Sequence, residues 1–244
     1  MKTDDSNTWL EQDSAQVDMY VSSADVILVE RNRTHRILMD LFRYHFQSPV
    51  DLTMLDLGCG DGIVTKRIRD RYPDNVFCLM DGSPDMMQKA KENLAGDNIS
   101  FRQQTFEEYM DSPVEEQKYH FIHSANAIHH LDLPGKEKLY ARVYEEMRSG
   151  GLFVNIDPVQ PSSARSEQWQ FRMWADWMNE ALFKKGFKDD IGKYDRLPTV
   201  YKAAGENKPS TLSDQLDILC RIGFQDVDCF FKYGVFAVFG GTKR

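Results

Sequence analysis

The stretch Met54-Leu55-Asp56-Leu57-Gly58-Cys59-Gly60-Asp61-Gly62 limits the possible folds of this chain more than any other segment. Its apolar start reads as a buried parallel strand, and its alternating glycines allow a tight turn with positive φ and close backbone approach to a ligand. Ile63-Val64-Thr65-Lys66-Arg67-Ile68 follows with helical spacing of its apolar residues, so the turn delivers the chain into a helix. A helix start offers unpaired N–H groups and positive potential to a carboxylate, a phosphate or an electron-rich ring.

The turn by itself is ambiguous, because dinucleotide sites use Gly-x-Gly-x-x-Gly and the spacing here is one residue tighter. A second clue lies where such folds place a ribose-binding acid, about twenty residues on. The run 76–80 reads as another buried strand and ends at Asp81, whose carboxylate can accept both hydroxyls of a ribose. That identifies a nucleoside and leaves a phosphate chain unspecified.

The blocks around Leu55–Gly62 and Asp81-Gly82-Ser83-Pro84-Asp85-Met86 resemble the class I S-adenosylmethionine-dependent methyltransferases of small-molecule type. The likeness continues through His123-Ser124-Ala125-Asn126-Ala127-Ile128-His129-His130-Leu131 and Ser149-Gly150-Gly151-Leu152-Phe153, and closes with Gly223-Phe224 and a final strand pair. One glycine motif is weak, whereas five blocks in order over 51–244 are specific. The resemblance implies an α/β fold: a Rossmann-like, seven-stranded, mostly parallel sheet of order 3-2-1-4-5-7-6 with strand seven antiparallel and helices on both faces. It also implies S-adenosyl-L-methionine as cofactor and S-adenosyl-L-homocysteine as product.

With 244 residues, the chain suits one well-buried α/β unit with elaborations: a helical cover over 1–50 and a methyltransferase domain over 51–244 that includes a helical or lid insertion at 159–210. A formal charge of −8 argues against a nucleic-acid footprint. No run is long or apolar enough to span a bilayer, and the first eight residues are too polar for a secretory signal, so the cytoplasm is the simplest address. Cys59, Cys78, Cys220 and Cys229 form no Cys-x-x-Cys pair, so neither a metal site nor a disulfide framework is expected. Nothing in the sequence specifies an oligomeric state.

Along the chain, residues 1 to about 15 read as loose and 17–46 as one or two helices covering the cofactor mouth. Strands are expected at 53–57, 76–80, 99–103, 121–124 and 152–156, and helices at 63–71, 83–94 and 136–147. Ser149-Gly150-Gly151 reads as a turn into the fifth strand. A long aromatic helix at 166–185, an irregular stretch at 186–209, a helix at 211–220 and an antiparallel pair at 227–231 and 235–239 complete the pattern.

For the cofactor, the resemblance implies bare backbone at Gly58, Cys59 and Gly60 beside the methionine end, Asp56 organising its ammonium group, and Asp81 on the ribose. Gly82, Ser83 and Met86 fall where relatives pack the adenine edge, although Met86 reads equally as core. Thr105 stands where many relatives carry an acid facing the adenine amino group, and Phe106 can offer a backbone N–H to the ring. Ser124, Ala125 and Asn126 leave the fourth strand beside the sulfonium. His129 and His130 invite a base assignment, with packing beneath the site as the alternative. Tyr20 matches a position where relatives set a tyrosine over the cofactor.

The acceptor half is less legible. Trp169, Trp174, Tyr194 and Tyr201 are candidate substrate contacts, with Arg31 and His35 as polar contributors. At 3.6 residues per turn, Trp169, Trp174 and Trp177 cannot share a face, so part of the stripe packs the helix down. Three functions stay open: methyl transfer to a small molecule, modification of RNA or protein, or a relative that uses or makes a modified S-adenosyl cofactor or has lost catalysis and serves as a binding module. No Asn-Pro-Pro-Tyr-like block follows the fourth strand, which weighs against exocyclic amino groups of bases, and Asn155-Ile156-Asp157-Pro158 is no substitute.

Overall fold

The structure is a computed structural model that describes residues 14–114 and 118–244. Its elements in chain order are α1 (Ser14–Ile27), α2 (Arg31–Phe46), β1 (Thr53–Leu57), α3 (Ile63–Arg71), β2 (Val76–Asp81), α4 (Pro84–Asn93), β3 (Ile99–Gln103) and α5 (Phe106–Asp111). They continue with β4 (Tyr119–Ala125), α6 (Leu133–Glu146), β5 (Met147–Pro158), α7 (Ala164–Lys184), α8 (Leu197–Ala203), α9 (Leu212–Ile222), β6 (Gln225–Tyr233) and β7 (Phe236–Thr242). Most of the segment expected to be loose, like the polar leader, lies outside the described residues.

The strands form one seven-stranded sheet in the order β3-β2-β1-β4-β5-β7-β6. Strands β1 to β5 run parallel and β7 antiparallel to both neighbours. The order reverses between β1 and β4, so helices leave those two strands toward opposite faces and a crevice opens above their carboxyl ends.

Alternation along the strands separates two apolar layers. Leu55, Leu57, Met80, Ile122 and Phe153 face α6 and α9, meeting Leu139, Tyr140, Val143, Ile218 and Leu219. Met54, Phe77, Leu79, Phe121 and Val154 face the other way, onto Leu38 and Phe42 of α2, Val64 and Ile68 of α3, and Met87 and Ala90 of α4. A third cluster joins Val26 and Val29 to Trp174, Met178 and Leu182 of α7 and to Val235 and Phe236 of the hairpin. This third cluster is where the N-terminal segment and the insertion meet.

Four expectations are corrected. The Ser149-Gly150-Gly151 turn is a bulge inside the twelve-residue β5: Tyr119 pairs with Met147 and Phe121 with Leu152, so β5 carries extra residues between them. The hairpin connection is Gly234-Val235, because the strands extend to Tyr233 and start again at Phe236. The stretch 186–209 contains α8 and a short 3-10 turn over Lys188–Asp190. A helix, α5, starts at Phe106 where only loop was expected; Thr105 and Glu108 form a reciprocal capping box at its start.

No helix among the described residues is long and apolar enough to cross a membrane.

Candidate active site

The cleft above the strand tips has an empty volume, mouth included, of about 1050 Å³. Its floor is the turn from β1 into α3. Gly58, Gly60 and Gly62 all have positive φ, at 67°, 55° and 75°. At Gly58 a side chain is doubly excluded, since a Cβ would overlap Ala127 in the loop after β4. At Gly60 the only atom among the described residues within 4 Å of such a Cβ is the Met86 sulfur, 3.9 Å away, so the backbone there borders open cleft.

Asp81 closes the next side. One carboxylate oxygen accepts from the Gly60 N–H at 2.8 Å and the other from the Ser83 N–H at 2.9 Å. Each oxygen keeps a lone pair for a further donor. Burial pushes the Asp81 carboxyl up to about 6, against the pull of those two N–H groups, with buried Asp56 adding to the rise. Asp56 is held from beneath: Thr65 of α3 donates its hydroxyl to one oxygen at 2.7 Å, and His123 Nδ1 stands 3.4 Å from the other. Burial raises the Asp56 pKa as well.

The wall after β4 carries backbone strain. Asn126 has φ 56°, unusual for a residue with a side chain, and its N–H donates to Ile156 at 2.7 Å. Its side-chain oxygen is buried without a hydrogen-bond partner among the described residues. His35, on the α2 side of the cleft, likewise has a buried Nδ1 without a partner there. Buried polar atoms are normally satisfied, so both mark space that a polar ligand can complete. Burial, then nearby Arg31 and Arg67, push the His35 ring down to about 3.

Asp56, Gly58, Cys59, Gly60, Asp81, Gly82, Met86, Thr105, Phe106, Ala125, Asn126, His130 and Tyr20 all line this one cleft, as do Arg31 and His35. Thr105 lines it with an oxygen already accepting the Glu108 N–H at 3.2 Å. Three named residues sit behind the wall. Ser83 caps α4 through the Met86 N–H at 3.3 Å. Ser124 donates to the Leu57 carbonyl at 2.6 Å and ties β4 to β1. His129 turns away to pair with buried Asp157 at 2.8 Å.

His130 faces the cleft with its ring centroid 4.2 Å from that of His129. Its Nδ1 lies 3.1 Å from the Glu206 carbonyl; a carbonyl only accepts, so Nδ1 carries the proton. Burial, reinforced by His129, pushes His130 down to about 3, so the ring is neutral. Burial likewise pushes the Tyr20 phenol up to about 12, with Arg31 opposing.

The aromatic candidates of the insertion lie elsewhere. Trp169 is 62% exposed, whereas Trp174 is buried, donates its indole N–H to the Ile27 carbonyl at 2.7 Å and packs edge-on against Phe236. Tyr194 packs against the third apolar cluster. Tyr201 lines a separate cavity, of about 640 Å³ empty volume, past the carboxyl end of β5. The cleft also takes in Asp61, Gln104, Glu107, Ala127 and Leu131, and Val21, Ala24 and Leu28 from α1. The Thr-x-x-Glu pattern at Thr105 was the available signal for Gln104 and Glu107; the α1 contacts had none, because they depend on where that helix docks.

Residues 54–151 match the model of the methyltransferase domain. Together with the strand order and the cleft at the switch point, this gives the chain the class I S-adenosylmethionine-dependent methyltransferase fold. The chain is 26% identical over 179 residues to trans-aconitate 2-methyltransferase of Deinococcus radiodurans, covering 73% of this chain and 60% of that one. It is 22% identical to carboxy-S-adenosyl-L-methionine synthase of Staphylococcus epidermidis, covering 74% of each. Human N-acetylserotonin methyltransferase, in complex with S-adenosylmethionine, superposes with a TM-score of 0.63 at 16% identity over the whole of this chain and 60% of that one. The chain thus spans about 60% of the length of the first of these relatives.

Proposed function

We propose that this protein is an S-adenosylmethionine-dependent methyltransferase acting on a small-molecule acceptor. The observation that carries the reading is Asp81, buried and aimed by two backbone N–H groups beside a glycine turn whose Gly60 borders open space. The residues present fit the cofactor. Asp81 would accept the ribose hydroxyls, and Met86, Phe106, Thr105 and Gln104, which line the same cleft, would hold the adenine. Asp56 would serve the ammonium group, and Arg31, ion-paired to Asp25 at 2.9 Å and the only lysine or arginine lining the cleft among the described residues, would serve the carboxylate. The Asn126 side-chain oxygen, without a hydrogen-bond partner among the described residues, would supply a negative dipole to the positive sulfonium.

When bound, the cofactor supplies an activated methyl group that is displaced in line with a neutral thioether leaving. The protein's contribution is then alignment, exclusion of water and fixed dipoles. The acceptor reading draws on the trans-aconitate enzyme among the relatives and on the net charge of −8, which does not favour nucleic acid. Ser83 and Ser124 are positioning residues: Ser83 caps α4 and donates its N–H to Asp81, and Ser124 holds the β4 tip to β1.

A second reading, synthesis or use of a modified S-adenosyl cofactor, is favoured by the carboxy-S-adenosylmethionine synthase relative, which matches over 74% of both chains. Mass spectrometry of ligand co-purified with the native protein separates the two. S-adenosylmethionine or S-adenosylhomocysteine, followed by transfer of labelled methyl to an acceptor panel, supports the first; a carboxylated cofactor overturns it. Failure of calorimetry to detect S-adenosylhomocysteine binding removes both.

A further inference from the structure

Asp56 of β1 stands in register with His123 of the neighbouring β4. Both side chains are buried, on the sheet face that also carries Met54 and Phe121 and is covered by Leu38 and Phe42 of α2 and Val64 and Ile68 of α3. The Phe121 and His123 rings lie 5.1 Å apart. A carboxyl group and an imidazole are costly in such a layer, and an aliphatic residue at position 123 would fill it without a polar atom. Chains break local rules of this kind chiefly at functional sites.

Asp56 lines the cofactor cleft and His123 does not, so the ring stands behind the carboxylate. Thr65 fixes one carboxylate oxygen with its hydroxyl at 2.7 Å, and His123 Nδ1 stands 3.4 Å from the other. A carboxylate oxygen only accepts, so the Nδ1 proton faces it. Nδ1 has no hydrogen-bond partner among the described residues, so the ring acts on Asp56 through the field of its N–H dipole, which buried surroundings strengthen. Burial pushes the Asp56 carboxyl up, and His123, ahead of Thr65, pulls it back. Burial pushes the His123 ring down, with Asp56 opposing. His35 of α2 is buried within the field of His123. Braced from beneath on two sides, Asp56 keeps its remaining lone pairs for a donor that enters through the cleft.

We propose that His123 is a positioning residue of the cofactor site, holding the Asp56 carboxylate in place for the ammonium group at the amino-acid end of the ligand. The inference rests on the methyltransferase reading for that ligand, and it adds a residue that reaches the site only through another. Removing the imidazole should therefore weaken ligands that carry the ammonium group and spare those that lack it.

The test is calorimetry on the full chain with S-adenosylhomocysteine and with methylthioadenosine, which shares the nucleoside and the thioether and lacks the amino acid. His123→Leu should bind S-adenosylhomocysteine about fivefold or more weakly, and methylthioadenosine within about twofold of the unmodified protein. His123→Asn, which restores an N–H near the Nδ1 position, should recover most of the lost affinity. In the unmodified protein, the His123 ring resonances should shift on adding S-adenosylhomocysteine and stay in place with methylthioadenosine. Equal weakening of both ligands, unchanged S-adenosylhomocysteine binding, or an asparagine variant as weak as His123→Leu overturns the inference. Should His123→Leu not fold, the ring resonances decide, and a shift common to both ligands, or absent with both, overturns it. An unmodified protein that binds neither ligand removes the methyltransferase reading itself, whereas S-adenosylhomocysteine binding that ignores His123 overturns only the role given to that residue.

Discussion

The cofactor cleft and the cavity beside α7 are built by different means. The cleft has a floor of main chain at strand tips: Gly58 and Gly60 with positive φ, the Gly60 and Ser83 N–H groups on Asp81, and the strained Asn126 backbone. The cavity is made of side chains brought from distant segments, with Phe171, Tyr201 and Val235 contributed by α7, α8 and the hairpin. A wall of main chain is determined by local residue types, and small residues there admit few substitutes. A wall of side chains depends on docking, and its chemistry changes with each residue. The protein therefore separates a cleft floored by main chain from a cavity walled by side chains of distant segments.

The largest effect expected from probing this contrast is at Gly58. Gly58→Val places a branched side chain at φ 67° against Ala127. Strain and overpacking each cost about 1–3 kcal/mol, so S-adenosylhomocysteine binding should fall by about thirtyfold or more in calorimetry. A variant with near-normal affinity breaks the main-chain account of the cleft.

Trp174→Ala should act oppositely, destabilising the fold by about 3–5 kcal/mol in urea melts, as loss of a large buried aromatic does. The indole holds α1 through the Ile27 carbonyl, yet it does not line the cleft. Cofactor affinity, measured where the variant remains folded, should move by less than threefold.

Asp81→Ala should cost about 1–3 kcal/mol of cofactor binding, the usual loss for hydrogen bonds to a charged group. The same residue gives a pH signature of opposite sign in the two states. Its carboxyl is raised to about 6 in the folded protein, so the unliganded fold loses stability as pH rises from near 4 through 6. Cofactor binding, which needs the carboxylate, should strengthen over that same window. Thermal melts and calorimetry at pH 5 and 7 that move together exclude the ribose role.

Smaller still, Thr105→Ala removes the cap of α5 and should cost about 1 kcal/mol of stability, with only a slight change in cofactor affinity. Trp169→Ala, at an exposed position, should stay within about 0.5 kcal/mol and leave acceptor KM unchanged.

Legibility in the sequence followed the same divide. Asp56, Gly58, Gly60 and Asp81 could be located because strand-end position and glycine spacing are local signals, and the cleft assembles all four. Trp174 was a candidate contact because an aromatic side chain suits a core and a pocket equally; only the docking of α1 against α7 decided for the core. The paired histidines show the same limit. Adjacent in sequence, His129 turns to Asp157 and His130 to the cleft because a 3-10 turn separates their directions.

The sequence by itself determined the sheet, its crevice and the side of the cleft formed by the glycine turn and Asp81, since apolar strands, helix caps and glycine turns act over a few residues. Only the tertiary structure decided which aromatic rings line space, which of two histidines faces the cleft, and that Tyr201 shares a chamber with Phe171. The physical reason is range: backbone conformation is set by neighbours along the chain, whereas a cavity's charge balance exists only after remote side chains have paired or been left unpaired.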